Sequence, residues 1–127
     1  MFVFDTFQPG QPIGMGELRL DRDLVERWLS LYPEDRDGDR MPAGMTAVVL
    51  MRAYADAANP RPPGNVHGEQ RFSIARLPEI GDRLITTLVC DGKELKGGRR
   101  WVRIASETRR DDGTLLFTGL MTTLWAK

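Results

Sequence analysis

The chain has 127 residues, of which 18 are basic and 18 are acidic, so its formal net charge is zero. This length predicts one domain over residues 1–127, and a content of 41% hydrophobic and 28% charged residues excludes a disordered chain, which buries too little apolar surface to fold. The neutral charge argues against a nucleic-acid-binding protein, because phosphate binding usually draws on a strong basic excess.

The compartment is predicted from what the chain lacks. Its uncharged stretches fall short of the roughly 20 apolar residues that a membrane helix needs. The first residues show no basic segment followed by an apolar run, as a secretory signal does. Cys90 is the only cysteine and has no partner for an internal disulfide, which fits a reducing compartment. We therefore expect a cytoplasmic protein that binds neither membranes nor nucleic acid.

The first third of the chain predicts a loop, a short strand and a helix. Prolines and glycines mark residues 7–14 as a loop, and Glu17–Leu20 alternates apolar and charged residues as a short strand does. Asp21 is placed to cap a helix whose apolar residues recur at spacings of three and four. This helix should end before Pro33.

The second predicted helix, residues 42–57, is apolar around nearly its whole circumference. It is rich in Ala, Met and Leu, and Pro42 stands where a first helical turn tolerates proline. A helix of this kind is buried on most sides. The prolines within residues 59–64 end it, since they cannot extend the hydrogen-bond ladder.

The remainder of the chain predicts a meander of antiparallel strands joined by glycine-containing turns. The candidate strands are Val66–Ile74, Leu84–Cys90, Trp101–Thr108 and Thr114–Trp125, with turns at Leu77–Asp82, Lys96–Arg99 and Asp111–Gly113. One face of such a sheet must be covered, and the helix of residues 42–57 is the only element hydrophobic enough. The sequence therefore predicts an α+β fold in which an antiparallel sheet wraps around a central apolar helix.

Four segments of the chain resemble the MaoC-like dehydratase family, whose members have the hotdog fold. These segments are Gln11–Gly14 with the helix after Asp21, Ala43–Ala47, Phe72–Asp82, and Asp111–Gly113 with Thr118–Gly119 beyond it. The resemblance covers nearly the whole chain. It implies a protein that binds an acyl thioester of coenzyme A or of an acyl carrier protein as substrate, with no further cofactor. It also implies reversible dehydration of a 3-hydroxyacyl group and a homodimer, or higher homo-oligomer, in which two sheets join edge to edge.

One signature of the family is missing from the chain. Active hydratases carry Gly-Asp-x-Asn-Pro-x-His after the first helix, and the Asp and His polarise a water for addition to a 2-enoyl thioester. Residues 32–40 contain neither a His nor an Asn-Pro pair. Two alternatives therefore stay open beside the dehydratase: an acyl-CoA thioesterase, and a non-catalytic subunit that completes the site of an active hotdog partner.

The candidate catalytic residues are Asp37, Asp39 and His67. The two aspartates precede the apolar helix by a few residues, so a carboxylate buried there could act as a general base, whereas a solvated turn is the alternative. His67 is the only histidine. Strict strand alternation would place it on the same side as Glu69, which could orient it, or His67 could simply be exposed.

The candidate substrate-binding residues at the start of the apolar helix are Ala43, Gly44 and Met45. Free backbone N–H groups and the helix dipole at this end could bind a thioester carbonyl oxygen. Gly44 would let that oxygen approach closely, although it could equally serve tight packing.

A second set of candidates lies on a basic hairpin. Lys96, Arg99 and Arg100 would hold the phosphates of coenzyme A, or would simply keep the end of the sheet soluble. Cys90 has no activating partner and is expected to be a buried, inert thiol. The chain's one histidine and one cysteine are far apart in sequence, so no metal site is expected.

Overall fold

The secondary structure is described for residues 1–126 in a computed structural model. The helices are α1 (Arg22–Leu31) and α2 (Thr46–Ala57), and the strands are β1 (Pro12–Arg19), β2 (Val66–Ile74), β3 (Arg83–Lys96), β4 (Arg99–Arg110) and β5 (Leu115–Trp125). All strand pairs are antiparallel and form one sheet in the order β1-β3-β4-β5-β2. Neither helix within residues 1–126 has the length and apolar character to cross a membrane.

The ends of both helices follow local chemistry. The Asp21 carboxylate accepts a hydrogen bond from the Leu24 N–H at 2.8 Å, which caps α1 as predicted, and α1 ends at Leu31. The second helix begins later than predicted, because the extended backbone of Pro42 leads into a single 3₁₀ turn, Ala43–Met45, before the α-helix starts.

The order of strands in the sheet differs from a simple meander. Strands β3, β4 and β5 are consecutive hairpins, whereas β2 pairs with β5 at one edge and β1 pairs with β3 at the other. Residues 75–82 explain the difference, because they cross the end of the sheet instead of turning tightly. The N–H of Ala75 bonds to the Leu116 carbonyl at 2.9 Å, and the Pro78 carbonyl accepts from the Met41 N–H at 2.8 Å.

Helix α2 lies against the concave face of the sheet and fills its core. The packing against β1 is very close: a Cβ built on Gly16 would lie 2.7 Å from the Ala53 Cα, and one built on Gly14 would lie 2.9 Å from the Ala57 Cβ. On the other side, Leu50 packs in a buried cluster with residues of β3, β4 and β5. The prediction of an antiparallel sheet curved around an apolar helix is confirmed.

One face of α2 is uncovered in the single chain. Met51 and Ala55 are exposed, and a shallow hollow of about 450 Å³ lies over them. The hollow is lined by Ala47, Val48, Met51, Arg52 and Ala55. The sequence predicted burial on most sides of this helix, and the isolated chain leaves this apolar face in contact with solvent.

Candidate functional site

The start of α2 presents two free backbone donors. The N–H groups of Ala43 and Gly44 make no hydrogen bond to any residue of the described chain, and both residues are exposed. The Ala43 carbonyl is already engaged by the Thr46 hydroxyl at 2.9 Å. Free N–H groups at the positive end of a helix dipole are suited to bind an oxygen that carries partial negative charge. The arrangement can therefore hold and polarise a carbonyl oxygen.

The side of Gly44 on which a side chain would stand is occupied by Trp28. A Cβ built on Gly44 would lie 2.7 Å from Cζ2 of the indole ring. The indole N–H donates to Asp35 Oδ2 at 2.9 Å, and the ring packs against Tyr32 at a centroid distance of 4.9 Å. The packing of Trp28 thus leaves no room for a side chain at Gly44, although the residue itself is exposed.

Trp28 and Asp35 are site residues that the sequence interpretation missed. Trp28 is one of the apolar residues that recur at helical spacing in α1, a pattern that indicates packing and not a site. The Trp28–Asp35 hydrogen bond spans seven residues across the end of α1, and no local pattern identifies such a pair. By contrast, Met45 contributes only its backbone near the site, because its side chain is 1% exposed and packs in the core with Val25 and Leu29.

The two candidate aspartates lie on the surface in ion pairs. Asp37 Oδ2 is 3.4 Å from Arg40 Nη1, and Asp39 Oδ1 is 3.2 Å from Arg22 Nη2. Their side chains are 68% and 64% exposed. The burial on which the general-base hypothesis depends is therefore absent from the single chain.

The position of His67 is set by a β-bulge. The pairing of β2 with β5 shifts by one residue between His67 and Glu69, with Gly68 as the extra residue. His67 pairs with the buried Thr123 and so faces the concave side of the sheet, whereas Glu69 pairs with Thr122 on the opposite side. Glu69 instead contacts Arg71 at 2.6 Å. The orientation of His67 by Glu69 is wrong, because the bulge breaks the alternation on which it relied. The other alternative holds, since His67 is exposed.

His67 and the basic hairpin both lie far along the sheet from the start of α2. Met45, at the start of α2, packs in a cluster with Leu84 at the start of β3. His67 and Val102 both pair with Thr123 of β5, so they lie at the same level of the sheet. Val102 packs with residues near the end of α2. The hairpin lies beyond that level, and the 12 residues of α2 span about 18 Å. Lys96, Arg99 and Arg100 are therefore not brought together with Gly44 in one chain.

Cys90 faces the core beside the second half of α2. The side chain is 1% exposed, and burial raises the pKa of its thiol, which disfavours the reactive thiolate. Within residues 1–126, no group of three or more His, Cys, Asp or Glu side chains is arranged to hold a metal ion.

The comparisons with known proteins concern structure rather than sequence. No protein-family model and no curated protein sequence matches the chain. Among solved structures, a MaoC-like dehydratase from Rhodospirillum rubrum superposes with a TM-score of 0.81 and 12% identity, over 100% of this chain and 99% of the other. R-hydratase PhaJ1 from Pseudomonas aeruginosa gives 0.75 and 16%, over 98% and 86%.

A chain of the HadBC (3R-hydroxyacyl-ACP dehydratase) complex from Mycobacterium tuberculosis gives a TM-score of 0.74 and 15% identity, over 91% of this chain and 96% of that one. These identities are low, and the superpositions extend over nearly the entire length of each chain. The α+β hotdog architecture predicted from the sequence is confirmed, and the chain has the fold of the MaoC-like dehydratases and (R)-hydratases.

Proposed function

We propose that this protein binds an acyl thioester, of coenzyme A or an acyl carrier protein, with the carbonyl oxygen held by the N–H groups of Ala43 and Gly44. The observation that carries the proposal is the pair of free, exposed donors at the start of the buried helix. Such donors stabilise the negative charge that develops on a thioester oxygen. The similarity in fold to a 3R-hydroxyacyl-ACP dehydratase complex supports the choice of ligand.

The substitution Ala43→Pro tests the carbonyl-binding donors directly. It removes the Ala43 N–H at the first position of the 3₁₀ turn, where proline is well tolerated. The preceding Pro42 has ψ 138°, a backbone conformation compatible with a following proline. Ala43→Ser keeps the N–H and is the matched control.

The measurement is isothermal titration with short acyl-CoA and acyl-N-acetylcysteamine thioesters. A lost hydrogen bond of about 1 kcal/mol corresponds to roughly fivefold weaker binding for Ala43→Pro, with Ala43→Ser unchanged. Equal affinity in the two variants, or no thioester binding by the unmodified protein, contradicts the proposal.

We propose further that two copies associate as a homodimer. Support comes from the uncovered apolar face of α2 around Met51 and from β2, an edge strand whose residues are mostly exposed. Joining two sheets at β2 would remove a free strand edge. Met51→Glu should convert the dimer to a monomer in light scattering, whereas Ser30→Glu, at an exposed position of α1, should not. A monomeric unmodified protein contradicts this part.

The first reaction to test is reversible dehydration of a 3-hydroxyacyl thioester. In this reaction Asp37, Asp39 or His67 would activate the water in place of the missing Asp/His pair. A specific observation favours a second candidate, a non-catalytic subunit: both aspartates are exposed and engaged by arginines. A water-activating group needs to reach the bound substrate.

Two activity measurements separate these candidates. Hydration is followed by loss of enoyl absorbance, and thioester hydrolysis, the remaining alternative, is followed by release of free thiol. Turnover of either kind by the pure protein excludes the non-catalytic role. Activity only after addition of a hotdog chain that carries the complete signature supports that role and excludes an autonomous enzyme.

A further inference from the structure

A hollow on the outer face of the β3–β4 hairpin has features that the thioester site does not use. It has a volume of about 450 Å³. Val102 is buried against the core, so Trp101, the residue before it on β4, faces the other side of the sheet, away from α2. The lining residues are Glu94, Lys96, Gly97, Arg99 and Trp101.

The hollow carries uncompensated positive charge. Lys96 and Arg99 are direct cross-strand partners at the end of the hairpin, and like charges in that position destabilise a sheet. Neither makes an ion pair with any residue within 1–126. Glu94, the one acid in the lining, is engaged by Arg103 at 3.3 Å. The geometry therefore keeps two cations together where an anion would relieve their repulsion.

Trp101 supplies an aromatic surface beside these cations. The indole N–H of Trp28 bonds to Asp35 at 2.9 Å, and that of Trp125 bonds to the Phe2 carbonyl at 2.8 Å. The Trp101 indole N–H makes no hydrogen bond to a described residue, and the ring is only partly buried. A Cβ built on the bulge residue Gly68 of β2 would stand 3.6 Å from Cζ3 of this ring.

We propose that this hollow binds a phosphorylated nucleotide, whose base stacks on Trp101 and whose phosphate lies between Lys96 and Arg99. Aromatic stacking accepts a base of any sequence, and guanidinium and ammonium groups bind phosphate oxygens. The same chemistry occurs in the adenosine 3′,5′-bisphosphate part of coenzyme A and in free nucleotides such as ATP. The site lies beyond the opposite end of α2 from Gly44, so it does not depend on the thioester site.

The test is isothermal titration of the full chain with ATP and with adenosine 3′,5′-bisphosphate. Adenosine and inorganic tripolyphosphate, which each supply one half of the proposed contacts, are the ligand controls. Both nucleotides should bind, each at least about tenfold more tightly than adenosine or tripolyphosphate. Tighter binding of the 3′,5′-bisphosphate identifies coenzyme A as the source, and tighter binding of ATP identifies a free nucleotide.

Two variants and one control locate the site. Lys96→Glu and Trp101→Leu should each weaken nucleotide binding about tenfold or more, whereas Arg76→Glu, an exposed arginine on the loop after β2, should change it less than twofold. Lys96→Glu also places opposite charges across the hairpin, so its melting temperature should not fall. Loss of binding in that variant is then not a folding defect.

Three results would overturn the proposal: no nucleotide binding by the unmodified protein, equal affinity for ATP and tripolyphosphate, or an equal effect of Arg76→Glu and Lys96→Glu. The thioester proposal is tested separately, because acyl-N-acetylcysteamine contains no nucleotide. Each of the two sites can therefore fail without the other.

Discussion

Gly44 packs against Trp28 of α1. The effect on stability of adding a methyl group at Gly44 should therefore depend on the Trp28 side chain. In Gly44→Ala the new Cβ would lie 2.7 Å from Trp28 Cζ2 and 3.0 Å from Cη2. The indole cannot simply rotate away, because its N–H is bonded to Asp35. Overpacking of this kind costs about 1–3 kcal/mol.

A second effect of Gly44→Ala has the opposite sign. Alanine is favoured over glycine in helical turns by about 0.5–1 kcal/mol, and Gly44 does not have the positive φ that would strain it. The net result should be a loss of about 1 kcal/mol in the unmodified protein. In a Trp28→Phe background, which lacks Cζ2 and Cη2, the same substitution should stabilise by about 0.5 kcal/mol.

The assay is a double-mutant cycle in urea, followed by far-ultraviolet circular dichroism because Trp28→Phe alters the fluorescence. We expect a coupling free energy of about 1–3 kcal/mol, well above the few tenths seen for independent sites. If Gly44→Ala destabilises both backgrounds equally, the clash with the indole is not the reason for the glycine.

Three further predictions concern the core. Gly16→Ala should lower the free energy of unfolding in urea by about 3 kcal/mol, more than Gly44→Ala. The reason is that its Cβ would lie 2.7 Å from the backbone Cα of Ala53. A smaller loss would show that α2 can move away from β1. The hydroxyls of Thr86 and Thr108 are bonded to each other at 2.8 Å in the core, so Thr86→Val should cost about 1–3 kcal/mol, and replacing both by Val should cost less than the single change. Burial raises the pKa of the Tyr54 hydroxyl above its ordinary value of about 10. The contribution of the neutral hydroxyl to stability is therefore complete below pH 10 and is lost as the pH rises through the raised pKa of the folded state. In thermal melts above pH 10, Tyr54→Phe should unfold less readily than the unmodified protein.

The features that the sequence predicted well are those encoded by neighbouring residues. Asp21 caps α1 through the Leu24 N–H three residues later, and the Gly97–Gly98 turn lies between paired strands as predicted. The apolar composition of residues 42–57 was sufficient to place one helix inside the curve of the sheet. The helix cap and the turn depend on residues a few positions apart, and the position of the helix depends on a single hydrophobic segment.

The features that were missed depend on contacts between distant segments. Nothing local indicates that Arg22 pairs with Asp39, so the sequence offered a solvated turn as an alternative for this acid but not the ion pair in which it lies. The bulge at Gly68 follows from pairing with β5, and it reversed the inferred relation of His67 to Glu69. The sequence located the backbone donors at the start of α2, whose role in binding stays a prediction, but it did not reveal the surroundings of Asp39 and His67.

The contact of α2 with β1 determines where this fold has room to change. Gly14 and Gly16 bring the strand so close to Ala53 and Ala57 that no larger side chain fits on that flank without moving the helix. An acyl chain of the proposed thioester that ran along α2 would therefore need its space on the flank that faces β4 and β5, or at the uncovered face around Met51. Under the proposed function, the contact with β1 would set one limit on the size of the ligand.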